Sequence, residues 1–128
     1  MKVDKLYLIS QNEFANVIQN WNMITDFEYV EPSEFSAILD DKINGAVMFH
    51  VDHNVNKEIA EKIKLIEKNN YPVHKVDING TLAATVSNLE MWLDRNRPKS
   101  LLILGCDDVA KSDNLNRFLL SLVKKISK

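Results

Sequence analysis

Ile43-Asn44-Gly45-Ala46-Val47-Met48-Phe49-His50-Val51-Asp52-His53-Asn54 is the stretch on which the fold turns. It is an apolar run with a β-branched and aromatic bias, entered through Asn-Gly and left through a polar cluster. That is the pattern of a strand buried on both faces of a parallel sheet. Ala46 to Asp52 is therefore expected to be the central strand, with the carboxylate of Asp52 facing solvent at its exit.

Upstream, Lys5-Leu6-Tyr7-Leu8-Ile9 reads as a first strand, and Ser10-Gln11-Asn12-Glu13 has the spacing of a capping box. Phe14, Val17, Ile18, Trp21 and Ile24 then share one face of a helix. Phe27-Glu28-Tyr29-Val30-Glu31 alternates apolar with acidic, which suits a sheet edge where charge discourages further pairing. Pro32-Ser33-Glu34 opens a short helix whose buried side would be Phe35, Ile38 and Leu39.

Downstream, Asn54 or Asn56 can cap a helix striped by Val55, Ile59, Ile63 and Ile66, with Glu58 and Lys62 four apart on a solvated face. Tyr71 to Ile78 is the fourth strand. Asn79-Gly80-Thr81 turns into a helix with the stripe Leu82, Val86, Leu89 and Leu93, Trp92 alongside, and Pro98 as its stop. Arg95 and Arg97 lie near its C-terminal end, where the helix dipole favours cations. Ser100 to Gly105 is the fifth strand, Cys106 to Ser112 a polar loop, and Leu115, Phe118, Leu119, Leu122 and Ile126 the buried face of a last helix.

The 128 residues suffice for one core, so residues 1–128 are read as a single domain. Residues 1–60 carry four lysines against ten acidic residues, and residues 61–128 carry twelve basic against eight acidic. In a compact fold these halves interleave, so no basic nucleic-acid surface is expected. The single Cys106 cannot form an internal disulfide and favours a reducing compartment. No apolar run has the length of a membrane span and the N-terminus lacks a secretory pattern, so the expected location is cytoplasmic.

Five strands alternating with helices imply an α/β fold, a three-layer α/β/α sandwich on a five-stranded parallel sheet. The flavodoxin-like order 2-1-3-4-5 puts the acidic second strand at an edge and the apolar third strand in the middle. Ligands gather at the carboxyl ends of such strands. This rule nominates Ser10, Gln11 and Asn12; Asp52, His53 and Asn54; Asn79, Gly80 and Thr81; and Gly105 and Cys106, followed by Asp107 and Asp108.

Each of these has a plainer reading. An Asp at a strand end also caps turns, Ser10 caps a helix, and Asn79-Gly80 makes a turn. His50 and His53 flank Asp52, but no further His or Cys stands at ligand spacing, so no metal is expected. Acidic neighbours disfavour a Cys106 thiolate. Neither G-x-G-x-x-G nor a Walker pattern occurs, and no cofactor is expected.

The layout resembles the receiver domains of two-component signalling. Leu6 to Ile9 followed by a helix, Phe27 to Glu31 followed by a short helix at Ser33-Glu34, and Ala46 to His50 running on to Asp52 match that pattern. Lys57 to Lys64 is similar to the helix after the phosphoacceptor, and Pro72 to Val76 to the fourth strand. The resemblance implies a phosphoacceptor at Asp52. Ser10 and Gln11, however, stand where receivers carry the acidic pair that holds Mg²⁺, and Gly105-Cys106-Asp107 where they carry a lysine. Without anionic ligands or a counter-charge, such a receiver would act through protein contacts.

Val86 to Leu93, Arg97 to Gly105 and Asn116 to Leu120 resemble the end of the molybdenum-carrier proteins, a branch of the nucleotide-binding SLOG superfamily. That likeness implies a nucleotide or nucleoside ligand held by Asn12, Asp52, Asn54 and Thr81. Asp52 with Glu61 is similar to the carboxylate pair of nucleoside deoxyribosyltransferase-like hydrolases. Glu61 lies among Lys57, Glu58, Lys62 and Lys64, the pattern of an exposed helix face. The reading that follows is a non-catalytic, receiver-like signalling or protein-interaction module. Its contact surface is expected on the last strand and last two helices, where self-association would cover an apolar edge.

Overall fold

The computed structural model describes residues 5–7, 13–22, 28–30, 43–51, 57–105 and 107–126. In chain order these form β1 (Lys5–Tyr7), α1 (Glu13–Asn22), β2 (Glu28–Val30), β3 (Gly45–His50), α2 (Lys57–Lys68), β4 (Val73–Asp77), α3 (Leu82–Asn96), β5 (Ser100–Gly105), α4 (Asp107–Ala110) and α5 (Asp113–Ile126). The helix expected at Pro32–Leu39, the cap expected at Ser10 and the residues 52–56 lie outside the described residues.

The fold is α/β on a parallel sheet, and β3 is an interior strand paired to β5 on one side and β4 on the other. All six β3 residues are buried, as its unbroken apolar run requires. The strand order is β2-β1-β5-β3-β4, not 2-1-3-4-5. β5 occupies the middle, pairing with β1 through Lys5↔Ser100 and with β3 through Gly45↔Leu101.

Side-chain chemistry accounts for the exchange. Leu101 to Leu104 is apolar on every residue and is buried throughout, whereas β4 alternates Val73, Val76 with His74, Lys75 and Asp77 and leaves Lys75 exposed. A strand that carries charge belongs at a margin, and one that carries none belongs inside. The expectation that the fifth strand is an apolar edge in need of cover is thereby overturned.

Right-handed crossovers fix the layers. β3-α2-β4 steps outward and β4-α3-β5 steps back across β3, so the two helices fall on opposite faces at constant handedness. On one face Ile59, Ile63 and Ile66 of α2 pack with Ala46, Met48, Leu102 and Leu104. On the other, α1, α3 and α5 close over Val47, Phe49, Leu101 and Ile103. The period-two alternation along β3 and β5 divides the two cores.

Individual helices follow their stripes with few exceptions. Phe14, Ile18 and Trp21 of α1 and Val86, Leu89, Trp92 and Leu93 of α3 are buried, while Leu82, at the first position of α3, stays exposed. Arg97 ends α3 in the left-handed conformation at φ 47°, its N–H donating to the Leu93 carbonyl at 2.7 Å, and Pro98 follows. The segment expected to be a polar loop after β5 contains the short helix α4 instead. Val109 within it is fully buried in the α1 and α5 core, which anchors the turn.

Candidate functional site

At the carboxyl end of the sheet, β5 separates the ends of β1 and β3. The cleft expected between strands one and three is therefore occupied by β5, which runs on past Leu102, the partner of Tyr7, to Gly105, the partner of Phe49. Of the nominated residues, Asn79, Gly80, Thr81 and Gly105 are described. Ser10, Gln11, Asn12, Asp52, His53, Asn54 and Cys106 lie outside the described residues. Asp107 and Asp108 begin α4.

Gly105 has a packing role. A Cβ there would meet the Phe14 ring at 2.7–2.8 Å, so that ring lies against bare backbone. Phe14 in turn faces Phe49 at 5.6 Å between centroids, and Phe49 meets Phe118 edge-on at 5.4 Å. The three rings form an aromatic layer beneath the ends of β3 and β5, in the tilted and edge-on geometries that aromatic pairs favour. His50, at the end of β3, is buried at 3 % exposure, and its carbonyl accepts from Ile78 N–H at 3.0 Å.

The exit of β4 is tied to the start of α5. Asp77 Oδ1 accepts from Asn79 N–H at 3.0 Å, and the Asp77 carbonyl accepts from Gly80 N–H at 3.0 Å, closing the expected turn. Asn79 Oδ1 accepts from Asn114 Nδ2 at 3.2 Å, while Ser112 Oγ accepts from Asn114 N–H at 3.2 Å and caps α5. Thr81 is the N-cap residue of α3 without a side-chain capping bond, and its carbonyl receives both the N–H and the hydroxyl of Thr85. Asn114 was not nominated from sequence, because an Asn in the first turn of a helix carries no spacing signal.

Glu61 lies on the exposed face of α2, as the surrounding charges predict. Beside it Lys62 Nζ donates to Glu58 Oε1 at 2.8 Å, the pair expected from their spacing. The hydrogen bond and charge of Lys62 hold the Glu58 carboxyl below the usual carboxylate range. Among the described residues no three His, Cys, Asp or Glu side chains cluster in a way that could hold a metal ion. No described helix is long and apolar enough to cross a membrane.

Among the described residues, two further surfaces lie away from this end of the sheet. A cavity of about 360 Å³ lies between α1 and α5, lined by Val17, Asn20, Trp21, Asn116, Leu119 and Leu120. Trp21 Nε1 donates to the Leu119 carbonyl at 3.0 Å and pins the two helices together there. The other surface is β4 itself, at the end of the strand order, with Lys75 exposed and His74 against Trp92 at 5.7 Å between rings. Both helices that pack on β4, α2 and α3, carry exposed apolar residues: Leu65 on α2, Leu82 and Met91 on α3.

Compared with known proteins, the chain matches no family model, no curated protein and no solved structure.

Proposed function

We propose that the chain is a non-catalytic protein-interaction module with a receiver-like layout. The observation that carries this reading is the Phe14 ring seated on Gly105 at the carboxyl end of the middle strand. In sheets that bind nucleotides or phosphoryl groups, this end offers bare glycine backbone and open donors to the ligand. Here the glycine is covered by an aromatic ring, and Asn79 and Asn114 bond to each other. Ser10 and Gln11, which stand in place of the receiver acidic pair, supply no anionic ligand for Mg²⁺.

The test is incubation of the whole chain with Mg²⁺ and acetyl phosphate, read by intact mass, together with thermal melting against a panel of nucleosides and nucleotides. The expected result is no added phosphoryl group and no rise in Tm. A native-state ligand at a hundred times its Kd would add roughly 2.7 kcal/mol, a rise that melting resolves. Phosphorylation of Asp52 would replace this reading by a working receiver. A nucleoside-dependent rise in Tm would replace it by the SLOG-type or deoxyribosyltransferase-like one.

A further inference from the structure

We propose that Asn79 is a site of spontaneous covalent modification, at which the side chain closes on the Gly80 amide, loses ammonia and becomes an aspartyl or isoaspartyl residue, while the fold keeps the chain's other Asn-Gly pair, Asn44-Gly45, intact. This stands apart from the interaction-module reading and survives or fails without it.

The chemistry needs only water. The Gly80 nitrogen attacks Asn79 Cγ, an N–Cγ bond forms, the Cγ–Nδ2 bond breaks, and Nδ2 leaves as ammonia carrying the Gly80 amide proton. Water then opens the resulting succinimide. Attack at the side-chain carbonyl gives aspartate, and attack at the main-chain carbonyl gives isoaspartate with the chain rerouted through Cγ. The sum is a carboxamide and water converted to a carboxyl group and ammonia. A glycine in the second position favours ring closure because it has no Cβ to obstruct the approach and its backbone turns readily.

Two of the three glycines in the chain follow an asparagine, so the same dipeptide occurs in two settings. Asn79 and Gly80 are both exposed, in the turn that leaves β4. Asn79 N–H donates to Asp77 Oδ1 and Gly80 N–H to the Asp77 carbonyl, each at 3.0 Å, and Asn114 Nδ2 donates to Asn79 Oδ1 at 3.2 Å. These bonds lie at the surface, where water can take their place. A turn held in this way opens locally, without disturbing the sheet.

Asn44 is exposed as well, so access to the carboxamide does not separate the two sites. Its Oδ1 even accepts from the N–H groups of Lys99 and Ser100, which polarises the carbonyl toward attack. The difference lies in the nucleophile. Gly45 is buried at the start of β3, where a Cβ would meet the Trp92 ring at 3.1 Å and the Pro72 carbonyl oxygen at 3.3 Å. On either side of it, Asn44 N–H donates to the Ser100 carbonyl at 2.8 Å and Ala46 N–H to the Pro72 carbonyl at 3.0 Å. Turning the Gly45 nitrogen onto Asn44 Cγ would pull an interior strand out of register with both neighbours. Such an opening approaches global unfolding, whereas the Asn79 turn belongs to the low-stability end of the molecule.

The experiment follows both dipeptides in the full chain at mildly alkaline pH, once folded in buffer and once unfolded in guanidinium chloride. Samples are digested and mapped by mass spectrometry, with isoaspartate resolved from aspartate by chromatography. In the folded chain Asn79 is expected to convert at least about tenfold faster than Asn44, a barrier difference of about 1.4 kcal/mol or more. In guanidinium chloride the two rates should converge, which assigns the difference to the fold. In Asn79→Gln, where ring closure needs a longer side chain to fold back, the fast conversion should disappear. Equal rates at the two sites in the folded chain, faster loss at Asn44, or an Asn79 that stays intact when folded would overturn the proposal. So would a gap between the sites that persists in the unfolded chain.

Discussion

Phe14 and Gly105, which lie on the first helix and the middle strand, are in contact so close that a Cβ at position 105 would lie 2.7 Å from the ring. A methyl group at this point cannot be accommodated by a small shift, because Phe14 is itself held by Phe49. Gly105→Ala is expected to cost about 1–3 kcal/mol, the range for overpacking a closed core. Urea unfolding of Gly105→Ala, Phe14→Leu and the double variant checks it. The alanine should cost at least ~0.5 kcal/mol less in the Phe14→Leu background.

Trp21 joins α1 to α5 through the bond from Nε1 to the Leu119 carbonyl. Trp21→Phe keeps most of the apolar area and removes the donor. It should lower stability by about 1 kcal/mol, the net value of one buried hydrogen bond. Chemical denaturation with an unchanged m-value would locate the loss in the native state.

Asn44 holds the entry of β3 to that of β5. Its Oδ1 accepts from the N–H groups of Lys99 and Ser100, each at 3.0 Å, and its own N–H donates to the Ser100 carbonyl at 2.8 Å. Asn44→Ala removes two acceptor contacts and should cost roughly 1–2 kcal/mol. Amide exchange at residues 99 and 100 should quicken in that variant more than at Ile103 or Leu104.

His74 lies half-buried against Trp92, and burial lowers its pKa below the ordinary 6.5. The unfolded chain therefore binds this proton more tightly than the folded one. The stability associated with the neutral ring is fully present above the ordinary imidazole value and is lost as pH falls toward the folded-state value. Melting temperatures of the native chain and His74→Phe, taken from pH 8 to pH 5, should shift in favour of the variant as the pH drops. An equal difference at every pH would contradict this.

Much of the fold was legible because it depends on periodicity. Ile59, Ile63 and Ile66, then Val86, Leu89 and Leu93, then Leu115, Phe118, Leu119 and Leu122 all read as stripes, and all are buried. The interior position of β3 followed from its unbroken apolar run. Strand order was harder, since β4 and β5 are both credible as the strand at the margin and only a comparison of their charges separates them. Lys75 and Asp77 carried that signal. The role of Gly105 was hidden for a different reason: contact between a helix start and a distant strand end leaves no local pattern. Val109 marked α4 as anchored rather than loose, but one apolar residue among Asp107, Asp108 and Lys111 is too short a run to reveal a helix.

The position of β5 sets a timetable for the chain. Lys5–Tyr7 is synthesised ahead of every other described strand, yet its partner Ser100–Leu102 emerges only after β2, β3 and β4 have all been produced. Before it emerges, any β1–β2 and β3–β4 ribbons that form lack the strand that joins them in the native sheet. Closure across so long a stretch of chain is slow, and the waiting ribbons are vulnerable to pairing with other chains. A nascent polypeptide stalled before Ser100 should thus expose both margins that β5 joins, and release of residues 100–105 should seal them in one step.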